Sequence, residues 1–216
     1  MFPVISIVGE SKSGKTTLLE LLIGELRARG HRLAAIKHSR SEFETDQPGK
    51  DSWRLRQAGC DVVVLSSSKK VALVKEREHD AALEELFCYI DDDVDLVLTE
   101  GFKKAETPKI EVHRKGGGAL VCPPEQLVAI VTDEAMDVAV PQYSPRDVKG
   151  LADLIESSIL ALPIRDQASV AVNGTYLPLN PFVAALLSRT LIGMVSTLRD
   201  VGEIDSLHVR LKRGET

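Results

Sequence analysis

A glycine-framed segment near the start of the chain has the spacing of a phosphate-binding loop. Gly9 is followed, after four intervening residues, by Gly14, Lys15 and Thr16. Glycines let backbone N–H groups approach phosphate oxygens, a lysine can reach the terminal phosphates, and a threonine hydroxyl can ligate Mg²⁺. The spacing therefore predicts a site for a nucleoside triphosphate and Mg²⁺.

Every residue of this loop is a candidate ligand of the phosphate groups, and Lys15 is also a candidate catalytic residue. The loop consists of Gly9, Glu10, Ser11, Lys12, Ser13, Gly14, Lys15, Thr16 and Thr17. Glu10 stands where the deviant loops of dimeric ATPases carry an extra lysine, which disfavours that class. The sequence has no Asn-Lys-x-Asp stretch that would specify guanine, so these residues leave the base open, and Asp133 is a geometric candidate only.

An acidic residue at the end of an apolar run is the candidate second ligand of the metal. Glu100 and Gly101 follow the run at 94–99, which is typical of a strand inside a parallel sheet. A carboxylate at the end of such a strand holds Mg²⁺ directly or through water beside a phosphate-binding loop. Thr16 and Glu100 are therefore the predicted metal ligands, and Glu100 is also a candidate catalytic residue; the alternative is a carboxylate that caps the following turn.

Two charged segments are candidate anion-binding loops. The first contains Asp46, Lys50, Asp51, Arg54 and Arg56, and the second contains Lys103, Lys104, His113, Arg114 and Lys115. Arginine matches the geometry of phosphate, and a carboxylate could position a water or a metal. A solvated loop with a capped helix explains the first segment equally well, and a solvated basic loop explains the second. His38 and His113 are predicted to be hydrogen-bonded structural residues.

Strands that alternate with helices must position these side chains, and they predict an α/β fold of the P-loop NTPase type. We expect a mostly parallel sheet with helices on both faces. The predicted strands are 4–8, 33–36, 94–99, 109–113 and 127–132, with a hairpin at 62–65 and 71–74; the predicted helices are 16–29, 51–58 and 80–90, and one that Ser144 caps. Ligands of such sheets lie beyond the carboxyl ends of the strands, where Lys37, His38, Glu100 and Asp133 are expected.

The end of the chain has a different pattern and predicts a small ββαβ appendage. Asn173-Gly174 favours a tight hairpin turn, Pro178 restricts its strand to an edge, and Asn180-Pro181 caps a helix. Alternating residues at 207–211 predict a final strand. We therefore expect a nucleotide-binding domain at 1–162 and an extension at 163–216 that serves packing or an interface.

Composition limits the classes of function. The chain has 216 residues, 44% of them hydrophobic, and a net charge of −5, so it can bury a core and has no basic field for nucleic acid or membrane. We expect no membrane span, and no signal peptide because the first strand begins at once. Cys60, Cys88 and Cys122 have neither disulfide nor metal spacing, which favours the cytoplasm.

Several blocks together resemble the molybdopterin-guanine dinucleotide biosynthesis protein B (MobB) family. They are the loop at 9–17 with the Leu-Leu-Glu that follows it, Ile-Lys-His-Ser at 36–39, the segment 46–54 that continues to Ala-Gly at 58–59, Thr-Glu-Gly-Phe-Lys at 99–103, and Val-His-Arg at 112–114. The similarity extends over about residues 3–160. The combination of the segment 46–54 with Glu-Gly-Phe-Lys is specific, whereas a phosphate-binding loop alone is not.

The resemblance implies a GTP-binding accessory protein with weak GTPase activity, which forms a homodimer. Such a protein assists a MobA-like guanylyltransferase that attaches GMP to molybdopterin. The resemblance places Gly101 at the nucleotide, and Asp46, Lys50, Asp51, Arg54, Lys103 and Arg114 near the γ-phosphate or the pterin. Two alternatives stay open from the residues: a small-molecule kinase with Arg54 and Arg56 as lid residues, and an interaction module carried by 163–216.

Overall fold

The computed structural model describes residues 3–39, 43, 47–90, 94–161, 168, 170–173, 175–177, 179–204, 206–209 and 211. The chain divides into two compact units, one of Met1–Lys37 with Leu83–Thr216 and one of His38–Ala82. The predicted site residue Asp46 and the predicted edge residue Pro178 lie outside the described residues. None of the helices described is both long and apolar enough to cross a membrane.

The first unit is built on a six-stranded sheet. Its strands are β1 (Val4–Gly9), β2 (Leu33–Lys37), β5 (Leu96–Glu100), β6 (Lys109–Val112), β7 (Leu127–Val131) and β8 (Gln142–Tyr143), in the spatial order β2-β5-β1-β6-β7-β8. All five pairings are parallel. The predicted parallel sheet is therefore confirmed, and the carboxyl ends of its strands meet at one edge.

Helices cover both faces of this sheet, as the sequence predicts. On one face α1 (Lys15–Ala28) and α4 (Val148–Ile155) pack against Ile5 and Ile7, and Leu22 of α1 is completely buried. On the other face α3 (Leu83–Leu86) and the 3-10 turn Phe87–Tyr89 pack against Val4 and Val97. Every residue of β1 is buried, with Ile5 and Ile7 in one core cluster and Val4 and Val8 in others, so both faces of the strand are packed and the loop that follows starts from a fixed position.

The second unit contains a short helix and a hairpin. The helix α2 (Asp51–Gln57) is followed by β3 (Val62–Ser66) and β4 (Val71–Lys75), which pair antiparallel as predicted. Nε2 of His38 lies 2.9 Å from a carboxylate oxygen of Asp80, so this hydrogen bond joins residues near the two ends of the unit. The helix begins at Asp51 as predicted, its N-cap position is Lys50, and no side chain caps it.

Two predicted helices begin later than expected. The helix predicted at 80–90 is reduced to α3 and its 3-10 turn, and the Asp80 carboxylate binds His38. The helix expected to begin after Ser144 begins at Val148, because the Asp147 side chain accepts from the Gly150 N–H at 3.1 Å. A π-helical turn, Glu156–Leu160, continues it.

The C-terminal appendage is confirmed only in its first three elements. The strands β9 (Val170–Val172) and β10 (Thr175–Leu177) form the predicted hairpin, and Asn180 caps α5 (Pro181–Val195). The final strand is wrong over the described residues 206–209 and 211, which form no strand. An alternating sequence becomes a strand only where a sheet edge supplies hydrogen-bond partners. The predicted domain boundary at 162 stays a prediction.

Candidate functional site

The loop after β1 has a backbone that only glycines accommodate at its two ends. Gly9 has a φ of 143° and Gly14 a φ of 102°, and both values lie in the region that disfavours other residues. A Cβ at Gly9 would lie 2.4 Å from the backbone oxygen of Val112, so β6 leaves no room for a side chain. The glycines therefore allow both the turn and its close approach to the sheet.

The loop turns back on itself and brings its lysine over its own backbone. The Ser13 N–H donates to the Glu10 oxygen at 3.3 Å, and Nζ of Lys15 donates to the same oxygen. Because α1 begins at Lys15, its first N–H groups and the positive end of its dipole point into the loop. This arrangement is a cradle for an anion such as a phosphate group.

Thr16 and Glu100 come together at the carboxyl ends of β1 and β5. Oγ1 of Thr16 donates to Oε2 of Glu100 at 2.8 Å, and the Glu100 side chain is only 11% exposed. Two neighbouring ligands of octahedral Mg²⁺, each about 2.1 Å from the ion, lie about 2.9 Å apart. The spacing of the two oxygens is therefore compatible with two adjacent ligands of a Mg²⁺ ion, and these are the residues that would hold one.

A second lysine contacts the same pair of oxygens. Nζ of Lys37, at the end of β2, lies 3.3 Å from Oε2 of Glu100 and 3.4 Å from Oγ1 of Thr16. The sequence places Lys37 at a strand end and assigns it no role. The parallel register, which pairs Lys37 with Glu100, brings the two residues side by side. This contact follows from the position of β2 beside β5, and no local pattern in the sequence specifies that strand order.

Arg114, which follows β6, fastens the other side of the loop. Its Nε donates to the Ser13 backbone oxygen at 2.8 Å. Its Nη2 lies close enough to Gly14 that a Cβ there would be 2.9 Å away. The structure thus brings Arg114 to the loop, where it holds the Ser13–Gly14 peptide, and its predicted role at the γ-phosphate or the pterin stays a prediction.

A cleft of ≈ 120 Å³ lies between the loop and the end of β6. Its lining residues are Glu10, Ser11, Lys12, Ser13, Glu111, Val112, His113, Arg114 and Gly117. Oγ of Ser13 is buried there and has no hydrogen-bond partner among the described residues. Buried polar atoms are normally paired, so this hydroxyl offers a contact to a ligand or a water.

The buried Glu111 and the half-buried Glu134 hold the loops around this cleft. The Glu111 carboxylate accepts from the N–H groups of Val121 at 2.7 Å and Cys122 at 3.1 Å. Burial of Cys122, together with the nearby Glu111 charge, raises the pKa of its thiol. Nε2 of His113 lies 3.4 Å from Oε1 of Glu134, and the structural role of this histidine stays a prediction. These contacts position the segment that carries Arg114.

The remaining predicted site residues fall into three groups. Thr17 lies in the first turn of α1 and is exposed, while Gly101 and Lys103 follow β5 and are half-buried. Lys50, Asp51 and Arg54 belong to the second compact unit, where Arg54 and Asp51 form a 3.8 Å ion pair on the surface of α2. Asp133 accepts from the Lys115 N–H at 2.8 Å. The roles of all these residues stay predictions.

The parallel sheet and the glycine-framed loop define a P-loop protein of the nucleotide-binding type. The sequence pattern of the family described as molybdopterin guanine dinucleotide synthesis protein B, MobB, matches residues 4–133. The chain belongs to this family, which confirms the resemblance found in the sequence.

Relatives and solved structures agree with this assignment. A molybdopterin-guanine dinucleotide biosynthesis adapter protein of Haemophilus influenzae is 38% identical over 160 residues, which are 72% of this chain and 88% of that one. A protein of Methanocaldococcus jannaschii is 28% identical over 96% of this chain and 97% of its own. The crystal structure of Bacillus subtilis MobB superimposes with a TM-score of 0.58 at 29% identity, covering 73% of this chain and 98% of that one.

Proposed function

We propose that this protein is a GTP-binding adapter that assists a MobA-like guanylyltransferase when GMP is attached to molybdopterin. The observation that carries the proposal is the joint presence of the loop at 9–17 and the contact of Thr16 with Glu100, in a chain of this family. The preference for GTP rests on the family, whose description names a guanine dinucleotide, and the choice of partner rests on the relative described as an adapter.

The loop residues bind and orient the triphosphate. The backbone N–H groups of the loop and the ammonium of Lys15 face the phosphate oxygens, and Lys15 leaves its contact with Glu10 to do so. Thr16 and Glu100 would hold Mg²⁺, which supplies charge neutralisation at the β- and γ-phosphate oxygens. Glu100 also orients a water near the γ-phosphate, so we expect hydrolysis that is slow and independent of small acceptors.

The wider assembly is part of the same proposal. We infer that Lys103 and Arg114 face either the γ-phosphate or the phosphate-bearing pterin, together with Lys50, Asp51 and Arg54. A homodimer is expected from the family resemblance. A cytoplasmic location fits the three cysteines, all of which are free.

Reconstitution tests the adapter function. Purified guanylyltransferase, molybdopterin and GTP are combined with the wild-type protein or with the Lys15→Ala variant, and the guanine dinucleotide product is measured over time. We expect the wild-type protein to increase product formation and Lys15→Ala to give less than a tenth of that increase. Lys149→Ala, an exposed lysine on α4, is the matched control and should behave as wild type. An increase that survives in Lys15→Ala would contradict the nucleotide-dependent adapter.

A further inference from the structure

Lys37 is placed where its charge can substitute for that of a metal ion. Its ammonium lies within 3.4 Å of Oγ1 of Thr16 and Oε2 of Glu100, the two oxygens that fit Mg²⁺. The Lys37 side chain is 61% exposed, whereas that of Glu100 is 11% exposed. An exposed ion pair of this kind contributes little to stability, so the ammonium can leave the pair at small cost.

The ammonium and Mg²⁺ compete for the same oxygens. A Mg²⁺ ion held by these residues would face the ammonium at close range, and a positive charge already in contact with both oxygens opposes the ion. Binding of the metal therefore requires that Lys37 swing away. A lysine side chain is a flexible stem with three donors, and it gains a new partner wherever a further anionic group lies within reach.

We propose that Lys37 is the residue that senses the γ-phosphate, an inference that rests on the proposed function. In the absence of a γ-phosphate its ammonium stays on Thr16 and Glu100 and opposes Mg²⁺. When a magnesium nucleoside triphosphate binds, the ammonium moves from these oxygens to an oxygen of the γ-phosphate. A diphosphate has no γ-phosphate oxygen. Only the triphosphate therefore gives Lys37 a new partner in place of Thr16 and Glu100.

The position of Lys37 in the chain gives this movement a consequence. It is the last residue of β2 and of the first of the two segments that form the first compact unit, and His38 begins the second unit. The His38 side chain is in turn bound to Asp80. A change at Lys37 that depends on the γ-phosphate therefore takes place one residue before the chain enters the second unit.

Calorimetric titration of Lys37→Met tests the sensor, because the substitution keeps the apolar stem and removes the charge. Wild type, Lys37→Met and the control Lys149→Met are titrated with GDP and with a non-hydrolysable GTP analogue across a series of Mg²⁺ concentrations. We expect the affinity of Lys37→Met for the analogue to fall about tenfold, as for loss of a charge-assisted hydrogen bond. With GDP, the Mg²⁺ concentration for half-maximal binding should fall, because the competing charge is gone.

Lys37→Met is expected to weaken binding of the GTP analogue and to lower the Mg²⁺ concentration that GDP binding needs. These opposite effects distinguish a sensor from a structural residue. If Lys37→Met weakens both complexes equally, or changes neither, the inference is overturned. Lys37→Arg keeps a donor cation and should retain most of the preference for the analogue; its loss would also contradict the inference. The proposed function fails on a different result, namely that the wild-type protein binds no GTP or that Lys15→Ala binds it normally.

Discussion

The carboxyl edge of the sheet and the helix α5 differ in almost every physical respect. At the edge, Thr99 and Glu100 are buried polar residues whose side chains have defined partners. No residue of α5 is buried, and Phe182 is 75% exposed although it is a large apolar side chain. The edge buries polar side chains that are paired, whereas α5 exposes large apolar side chains to solvent.

This difference separates the part of the chain that has a defined chemistry from the part that does not. Burial of a charged group is unfavourable unless it is paired, so the buried Glu100 carboxylate with its partners Thr16 and Lys37 marks a functional arrangement. The exposed apolar residues of α5 and the segment after it include Phe182, Leu186, Leu191, Met194 and Leu198. They carry no chemistry of their own, and we assign no function to them.

The largest expected effect compares a leucine from each region. Leu22 of α1 is completely buried in the core of the first unit, so Leu22→Ala should lower the free energy of unfolding by about 2–5 kcal/mol. Leu186→Ala on α5 removes the same atoms from a side chain that is 54% exposed. It should change the free energy of unfolding by less than about 0.5 kcal/mol. Urea denaturation of both variants measures the contrast. Equal losses would show that α5 is packed as tightly as α1.

A glycine from each region gives the second contrast. Gly9→Ala forces a Cβ against the backbone oxygen of Val112 at a φ of 143°, and should cost about 1–3 kcal/mol and disturb phosphate binding. Gly193→Ala in α5 meets nothing within 4 Å and should stabilise the helix by up to about 1 kcal/mol. The Tm of each variant, measured by thermal unfolding with and without GTP, distinguishes the effect of Gly9→Ala from that of Gly193→Ala. A tolerated Gly9→Ala would contradict the tight approach of the loop to β6.

The smallest effect concerns an ionic cluster far in sequence from the loop. Hydrogen bonds from His31 and then Arg29 lower the pKa of Glu156. Because the folded pKa is the lower one, this stabilisation is present above the unfolded value of about 4.5 and is lost as the pH falls through the folded value. Glu156→Gln should therefore reduce Tm by a few degrees at pH 6 and by less at pH 3.

The exposed carboxylate Glu125 provides the control for this pH dependence, and Glu125→Gln should leave Tm nearly unchanged at both values. The comparison is made by thermal unfolding at fixed ionic strength. A loss in Glu156→Gln that is as large at pH 3 as at pH 6 would show that the carboxylate charge is not the stabilising element.

The sequence predicts most of the fold because its signals are local. The loop after β1 and the Asn-Gly hairpin each depend on a few adjacent residues, and both are confirmed. The final strand at 207–211 fails over its described residues because pairing depends on a distant partner. The cap of α4 fails because Asp147 competes with Ser144 for the same role.

The candidate site shows the same limit. Thr16 and Glu100 are predicted together, since a phosphate-binding loop and an acidic strand end imply each other, and the structure places them in contact. The contact of Lys37 with Glu100 requires β2 to lie beside β5, which no local pattern specifies. The bond from Arg114 to Ser13 likewise depends on β6 lying beside β1.

The most direct test of a magnesium–GTP site at the loop of residues 9–17 is a calorimetric titration of GTP and ATP, each with and without Mg²⁺. We expect GTP to bind more tightly than ATP and to require Mg²⁺ for full affinity. Lys15→Ala should lower the GTP affinity at least about tenfold while its unfolding midpoint stays close to that of wild type. Unchanged GTP binding in Lys15→Ala, or no binding by the wild-type protein, would contradict the account.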